Sequence, residues 1–361
     1  MSDQNLPTQR APSRREPRQL TNTLLGLIAF VLVLFLLTQA RFVLISLAIA
    51  IILFSLTSEA INAIARLKIG PVRIPMWLAS IFAMILIATG LLSASAFILA
   101  QANQVVTLAL TYTEPAQRAI AQIFGWMGSD VEAAVLQYMQ NIRIGGYLTA
   151  LAGQASSLLS GAILIILFVG FLFVERIWFR SKLLSLFGGE TARADRISAM
   201  VERIMQLVNH YLLVKAIVSL ATAIAIYAVF FFGGLELALP VAILTFFLNF
   251  IPSIGSIIAT VIAGLAAYIL TGDLTSAFVV FAIAGGVQFI IGNIIDPMLM
   301  GHALRLSSFG IIISLAFWGA IWGLPGMFLA VPIMVALMIS CAHSPTLRPL
   351  AILLSREGLP D

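Results

Sequence analysis

The chain has 361 residues, 61% of them hydrophobic and only 10% charged, with a mean hydropathy of +1.07. A soluble domain carries roughly twice that charge fraction, so the composition excludes a soluble globular protein and predicts an all-α, polytopic helical membrane protein. The formal net charge of +5 is dispersed among short loops, which excludes nucleic acid as a partner, and the single cysteine, Cys341, excludes an internal disulfide.

Residues 1–22 are polar and basic, with Arg10, Arg14, Arg15 and Arg18, and read as a disordered cytoplasmic N-terminus. Residues 23–100 hold the first three spans. Leu24 to Ala40 has the form of a signal-peptide core after a basic region, but a second apolar run starts at Phe42. Leu24 to Leu56 therefore reads as two spans with a tight turn at Gln39 to Arg41, and Trp77 to Leu99 is the third. Basic residues mark the cytoplasmic side, which puts the N-terminus and the loop of Arg66, Lys68 and Arg73 inside.

Residues 101–156 form the long polar stretch. Its apolar residues recur at helical spacing (Ile120, Ile123, Phe124, Met127; then Val131, Val135, Leu136, Met139) and predict amphipathic extracytoplasmic helices against the outer surface or a neighbouring subunit. Residues 157–210 supply the fourth span, Leu158 to Val174, and a cytoplasmic linker helix bearing Arg176, Arg180, Lys182, Arg193, Arg196 and Arg203. Partial neutralisation by Glu190, Asp195 and Glu202 makes this a solvated helix, with anionic-lipid contact as the alternative.

Residues 211–340 read as a core of two similar units, and 341–361 as a cytoplasmic tail. Each unit is an ordinary span followed by an overlong apolar run broken inside: Tyr211 to Phe232 before Leu237 to Leu270, then Leu274 to Ile295 before Phe309 to Ile339. One crossing needs about 20 apolar residues, so each run should be two short helices. The first breaks at Asn249 to Ser256, where Pro252 donates no N–H and Gly255 admits close backbone approach; the second breaks at Gly323-Leu324-Pro325-Gly326. Paired broken segments in corresponding positions point to a transporter's midplane site. Loop charge gives the units opposite orientation, as an inverted repeat of re-entrant hairpins; two full crossings instead would move Arg305 outside.

Polar side chains gather near the breaks: Asn249, Ser253 and Ser256, then Gln288, Asn293 and Asp296 along one wall. Asp296 precedes Pro297, so a capping role competes with a coupling role, and Asn249 has the alternative of capping freed backbone. Lys215 reads as snorkelling to the inner surface in preference to an intramembrane pair. No enzyme constellation is present: H-E-x-x-H, G-x-S-x-G and Walker A sequences are missing, and His210, His302 and His343 lack metal-ligand spacing, so no cofactor or metal is expected.

These residues resemble the AI-2E family of bacterial membrane transporters. Asn249-Phe-Ile-Pro-Ser-Ile-Gly255 is similar to its N-x-I-P-Y-x-G element. Gln288, Asn293, Pro297, Gly301, Leu304 and Leu306 resemble its second conserved stretch, and Gly323-Leu-Pro-Gly-Met-Phe-Leu-Ala-Val-Pro332 its last. Ser253 stands where the family usually has an aromatic residue and Ser256 where it has a second proline. The resemblance implies an inner-membrane, homo-oligomeric secondary transporter; one branch exports the signal autoinducer-2 and another exchanges sodium or lithium for protons. The reading is a permease for a small polar solute, with a proton or sodium ion as coupling partner. Asn249, Ser253, Gln288, Asn293 and Asp296 would face the solute where the two broken hairpins meet, with Pro252, Gly255, Pro325 and Gly326 shaping the backbone. The rivals are a sodium/proton antiporter leaning on Asp296 and a non-transporting scaffold docking partners through residues 101–156.

Overall fold

The computed structural model describes residues 15–66, 76–141, 144–300 and 306–358. The loop of Lys68 and Arg73, and the segment with His302 and Arg305, lie outside the described residues. Helices follow one another as α1 (Arg15–Gln39), α2 (Arg41–Arg66), α3 (Met76–Thr111), α4 (Thr113–Ile123), α5 (Ser129–Asn141), α6 (Ile144–Leu186) and α7 (Thr191–Phe232). They continue as α8 (Ala238–Leu248), α9 (Ile254–Thr271), α10 (Leu274–Ile290), a π-helical turn Ile291–Ile295, α11 (Asp296–Met300), α12 (Ser308–Trp322), α13 (Leu324–Ala342) and α14 (Arg348–Leu354). Among the described residues eight helices are long and apolar enough to cross a membrane, so the chain is an all-α multi-pass membrane protein.

Several elements are longer than the apolar patterns alone suggest. The fourth span and the basic linker belong to helices of 43 and 42 residues, α6 and α7. The linker's charges occupy the extramembrane ends of these two helices, with ion pairs Arg180–Asp195 and Lys182–Glu175 on their exposed sides. The helix of the first span starts at Arg15, inside the basic N-terminal segment. It does not lie along α2: helical hydrogen bonds run into the junction from both sides (Ala40 N to Leu36 O and Leu44 N to Ala40 O, both 2.9 Å), and Leu25, Leu32 and Leu36 stay 58–61% exposed.

Two bodies share α2. On one side α2, α3 and α6 pack around Ala50, Ile165 and Val169. On the other, α2 lends Leu44, Ile45, Ala48, Ile49 and Ile52 to a cluster built from α8, α9, α12 and α13. α7 runs through the second body, joining α13 through Tyr211, Leu212, Val335 and Met338 and joining α8 to α10 through Ile226 and Phe230. The helices α4 and α5 form a hairpin, closed by Gln117 Nε2 donating to Met139 O (3.0 Å), and rest on the end of α9 where Tyr268 donates to Gln122 Oε1 (3.2 Å).

Both broken runs divide unequally. α8 has 11 residues, about 16 Å of helix, while α9 has 18; α12 has 15 and α13 has 19. The second arms thus reach spanning length and only the first arms are short, because each break falls in the first half of its run.

The turn between α9 and α10 is built around Asp273. Its carboxylate accepts from Ser276 Oγ (2.7 Å), Ser276 N (2.7 Å) and Thr275 N (3.2 Å), and these bonds, led by those from Ser276, hold it below the usual carboxylate range. A depressed folded pKa means that the cap contributes fully above the ordinary carboxylate value and is lost as pH falls through the folded one. Amide protection at Ser276 should therefore be constant near neutrality and drop in acid, whereas in Asp273→Asn it should show no such acid transition. Equal acid profiles for the two proteins would refute the capping role.

Candidate functional site

The first break is a knitted turn. Ile251 N bonds to Leu248 O (2.9 Å), Gly255 N to Ile251 O (3.1 Å), and Ile254 N to Pro252 O (2.7 Å). The last bond closes a three-residue γ-turn that puts Ser253 at φ 61°, ψ −50°, a strained conformation for a residue with a side chain. Carbonyls at 248, 251 and 252 are thus used within the turn and do not stand open to a solute.

Each break is closed by a glycine lying on a carbonyl. A Cβ at Gly255 would sit 1.7 Å from Leu248 O, and one at Gly326 would sit 2.0 Å from Trp318 O. Phe250 and Phe328 then lie against one another across the two breaks, ring centroids 4.5 Å apart and planes tilted by 33°, and Trp318, Trp322, Leu248 and Ile251 fill the surrounding cluster. The hairpins do meet, but their junction is apolar. Pro252, Pro325 and Ser253 are at the partly or fully exposed margin, Gly255 and Gly326 at its buried centre.

The polar groups turn the other way, toward α7. Asn249 is 8% exposed, and its Nδ2 donates to Ser219 Oγ (3.2 Å) and Thr222 Oγ1 (3.4 Å) on α7, so it is a cross-helix contact instead of a backbone cap. Lys215 does not snorkel: its ammonium is ion-paired with Asp296, the two side chains being 7% and 18% exposed. Asp296 opens α11 directly after the π turn, and the pair joins that turn to α7. Gln288 is buried on α10, with neither Nε2 nor Oε1 hydrogen-bonded among the described residues.

Asn293 does not share this wall. It is exposed and donates to Phe289 O (3.0 Å) on its own helix. Five residues at 3.6 per turn place it roughly 140° around the helix from Gln288, an angle the wider π turn reduces without bringing the two side chains onto one face.

Facing Asn249 and Asp296 is a stripe not singled out from the sequence as a stripe: Tyr211, Lys215, Ser219 and Thr222, all at most 6% exposed. Their spacing of four, four and three is that of one helix face, and this is the signal that could have revealed them. The result is a buried polar seam at the centre of an apolar body. Groups of this kind are costly away from water and mark substrate or ion paths in membrane proteins.

The profile of the AI-2E family transporters matches residues 25–345. The chain is 27% identical to a candidate transport protein of Haemophilus influenzae over 93% of its own length and 96% of that protein. It is 32% identical to the AI-2 transport protein TqsA of Escherichia coli over 58% of this chain and 59% of the relative. A candidate transport protein of the same organism, YhhT, is 30% identical over 55% and 56%. The family match takes in the spans, both broken runs and the whole polar seam, and the chain belongs to the AI-2E transporter family.

Proposed function

We propose that the protein is a secondary transporter of the bacterial inner membrane that moves a small polar solute past the seam between α7, the first break and α10–α11. One observation carries this reading: Gln288 holds a carbonyl and an amino group buried without a partner among the described residues, beside a helix already lined with hydroxyls. An unsatisfied buried amide costs on the order of 1–3 kcal/mol, a cost offset when a hydroxylated or carbonyl-bearing solute supplies the missing bonds. Asn249 and Asp296 belong to the same site, while Ser253 and Asn293 stand at its margins. Autoinducer-2, named in the E. coli relative, is the proposed solute, being small, oxygen-rich and uncharged enough to be matched by amides and hydroxyls.

In this reading α8 and α12 are the short arms of re-entrant hairpins in an inverted repeat, and both termini are cytoplasmic. A homo-oligomer places the α4–α5 hairpins at its outer face. Alternating access then carries the α7–α13 body against α2, α3 and α6.

Efflux of autoinducer-2 from liposomes containing the purified protein tests the assignment. The native protein should release it, and the Asn249→Ala, Gln288→Ala double variant should be slower by about tenfold or more, the loss of roughly 1.4 kcal/mol of solute contact. Release no faster than from protein-free liposomes would remove the solute assignment; equal release by both proteins would remove the site and leave the transport.

A further inference from the structure

The Lys215–Asp296 pair has a feature that a purely structural ion pair would not need. Asp296 Oδ2 accepts from the ammonium, but Oδ1 is buried with no hydrogen-bond partner among the described residues, and the Tyr211 hydroxyl, one turn before Lys215, is buried and equally unpartnered there. A paired carboxylate is usually stabilised by bonds to both oxygens, and a buried pair that lacks them is weak evidence for stability. This one is half-finished.

We infer that Asp296 is the proton-binding group of the permease, held by Lys215 in the conformation described and released when its open oxygen takes a proton. The inference rests on reading the chain as a solute-coupled transporter. It names the coupling ion and where that ion binds.

Three observations favour a proton over a metal cation. A metal ion needs a shell of several oxygens, whereas Val214 and Val218, which flank Lys215 along α7, pack with Ile291 of the π turn in an apolar cluster that offers none. The nearest charge is an ammonium, which repels a metal ion but is displaced simply by neutralising the carboxylate. A proton needs one lone pair, and Oδ1 has it. Among the described residues, α10 and the π turn carry no ionisable group, α13 carries only Cys341, and on α7 the neighbours are Tyr211 and the exposed His210.

The surrounding fold can convert that event into movement. A proton arriving from water binds Oδ1 and breaks no covalent bond; Lys215 keeps its own proton and becomes an uncompensated buried cation, a state costing several kcal/mol. Its four-carbon stem lets the ammonium retreat along α7. Asp296 follows five residues of π-helix, and returning one residue to α-helical register rotates it by about 100° away from α7. The seam transmits the change, because Ser219 and Thr222, which hold Asn249, lie on the same α7 face one and two turns beyond Lys215. One positive charge crosses per cycle, and the proton leaves on the far side when Lys215 returns.

The test has a readout that requires no solute. Amide protection factors for residues 291–300, corrected for the intrinsic pH dependence of exchange, are measured on the full-length protein in nanodiscs from pH 8 to pH 5. The native segment should lose protection by about tenfold as pH falls. Asp296→Asn should be poorly protected and flat throughout, and Lys215→Arg should keep the native response. A flat native profile, or a native-like response in Asp296→Asn, would overturn the inference. In the liposome assay, a pH gradient should accelerate native efflux and leave Asp296→Asn unaffected; a gradient response retained by that variant would also overturn it. If the exchange result holds and autoinducer-2 does not move, the solute assignment fails and the proton site stands.

Discussion

Replacing Gly255 or Gly326 with alanine is expected to destabilise the protein by about 3 kcal/mol or more, because an added Cβ there meets the closest obstacles of any described glycine. The reason is geometric. The added Cβ would stand 1.7 Å from Leu248 O at the first site and 2.0 Å from Trp318 O at the second, where the obstacle is helix backbone and not a side chain able to swing aside. Either helix pair has to open, and opening it parts Phe250 from Phe328 and uncovers the cluster around Leu315, Trp318 and Leu329. Gly286→Ala is the control: nothing lies within 4 Å of its added Cβ, so it should be neutral or slightly stabilising through better helix propensity. Thermal unfolding in detergent separates the cases, and indistinguishable midpoints for Gly255→Ala and Gly286→Ala would show that the crossing is looser than described.

The second large effect comes from half of a buried pair. Lys215→Met should cost about 3–5 kcal/mol, because it leaves the Asp296 carboxylate desolvated with no counter-charge. The double replacement Lys215→Met, Asp296→Leu removes both charges at similar volume, and should recover most of that loss or exceed the native stability. Transport should not recover with it. A double variant as unstable as the single one would mean that the pair acts through packing alone.

Much of the fold is legible in the sequence because it is written locally. Pro252 and Pro325 mark the breaks, apolar length marks the spans, and Gly255 and Gly326 mark where backbones touch. The orientation of the polar groups is not local. Asn249 lies beside the break in the sequence, yet its partners, Ser219 and Thr222, are 30 and 27 residues away on another helix. Lys215 and Asp296 are 81 residues apart, and a lysine near a helix's charged end reads as a snorkelling one until its partner is seen. The α7 stripe was accessible in principle, but an average hydropathy over Tyr211 to Phe232 hides four polar residues among so many apolar ones. Asn293 failed for a different reason, since a π turn has no pattern of its own to betray the change of register.

The paired rings of Phe250 and Phe328 bear on a demand that any polytopic protein in an energised bilayer faces. Helix breaks are where the backbone is most easily hydrated, and two breaks brought face to face would offer a continuous water wire and a leak for protons and ions. Here the meeting point is filled by Phe250, Phe328, Trp318 and Trp322, so a bare ion would have to enter hydrocarbon to pass. The hairpin junction is therefore apolar and the seam on α7 polar, so that in the proposed reading a solute passes the second and is kept from the first. Smaller side chains at Phe250 and Phe328 would breach the first without touching the second.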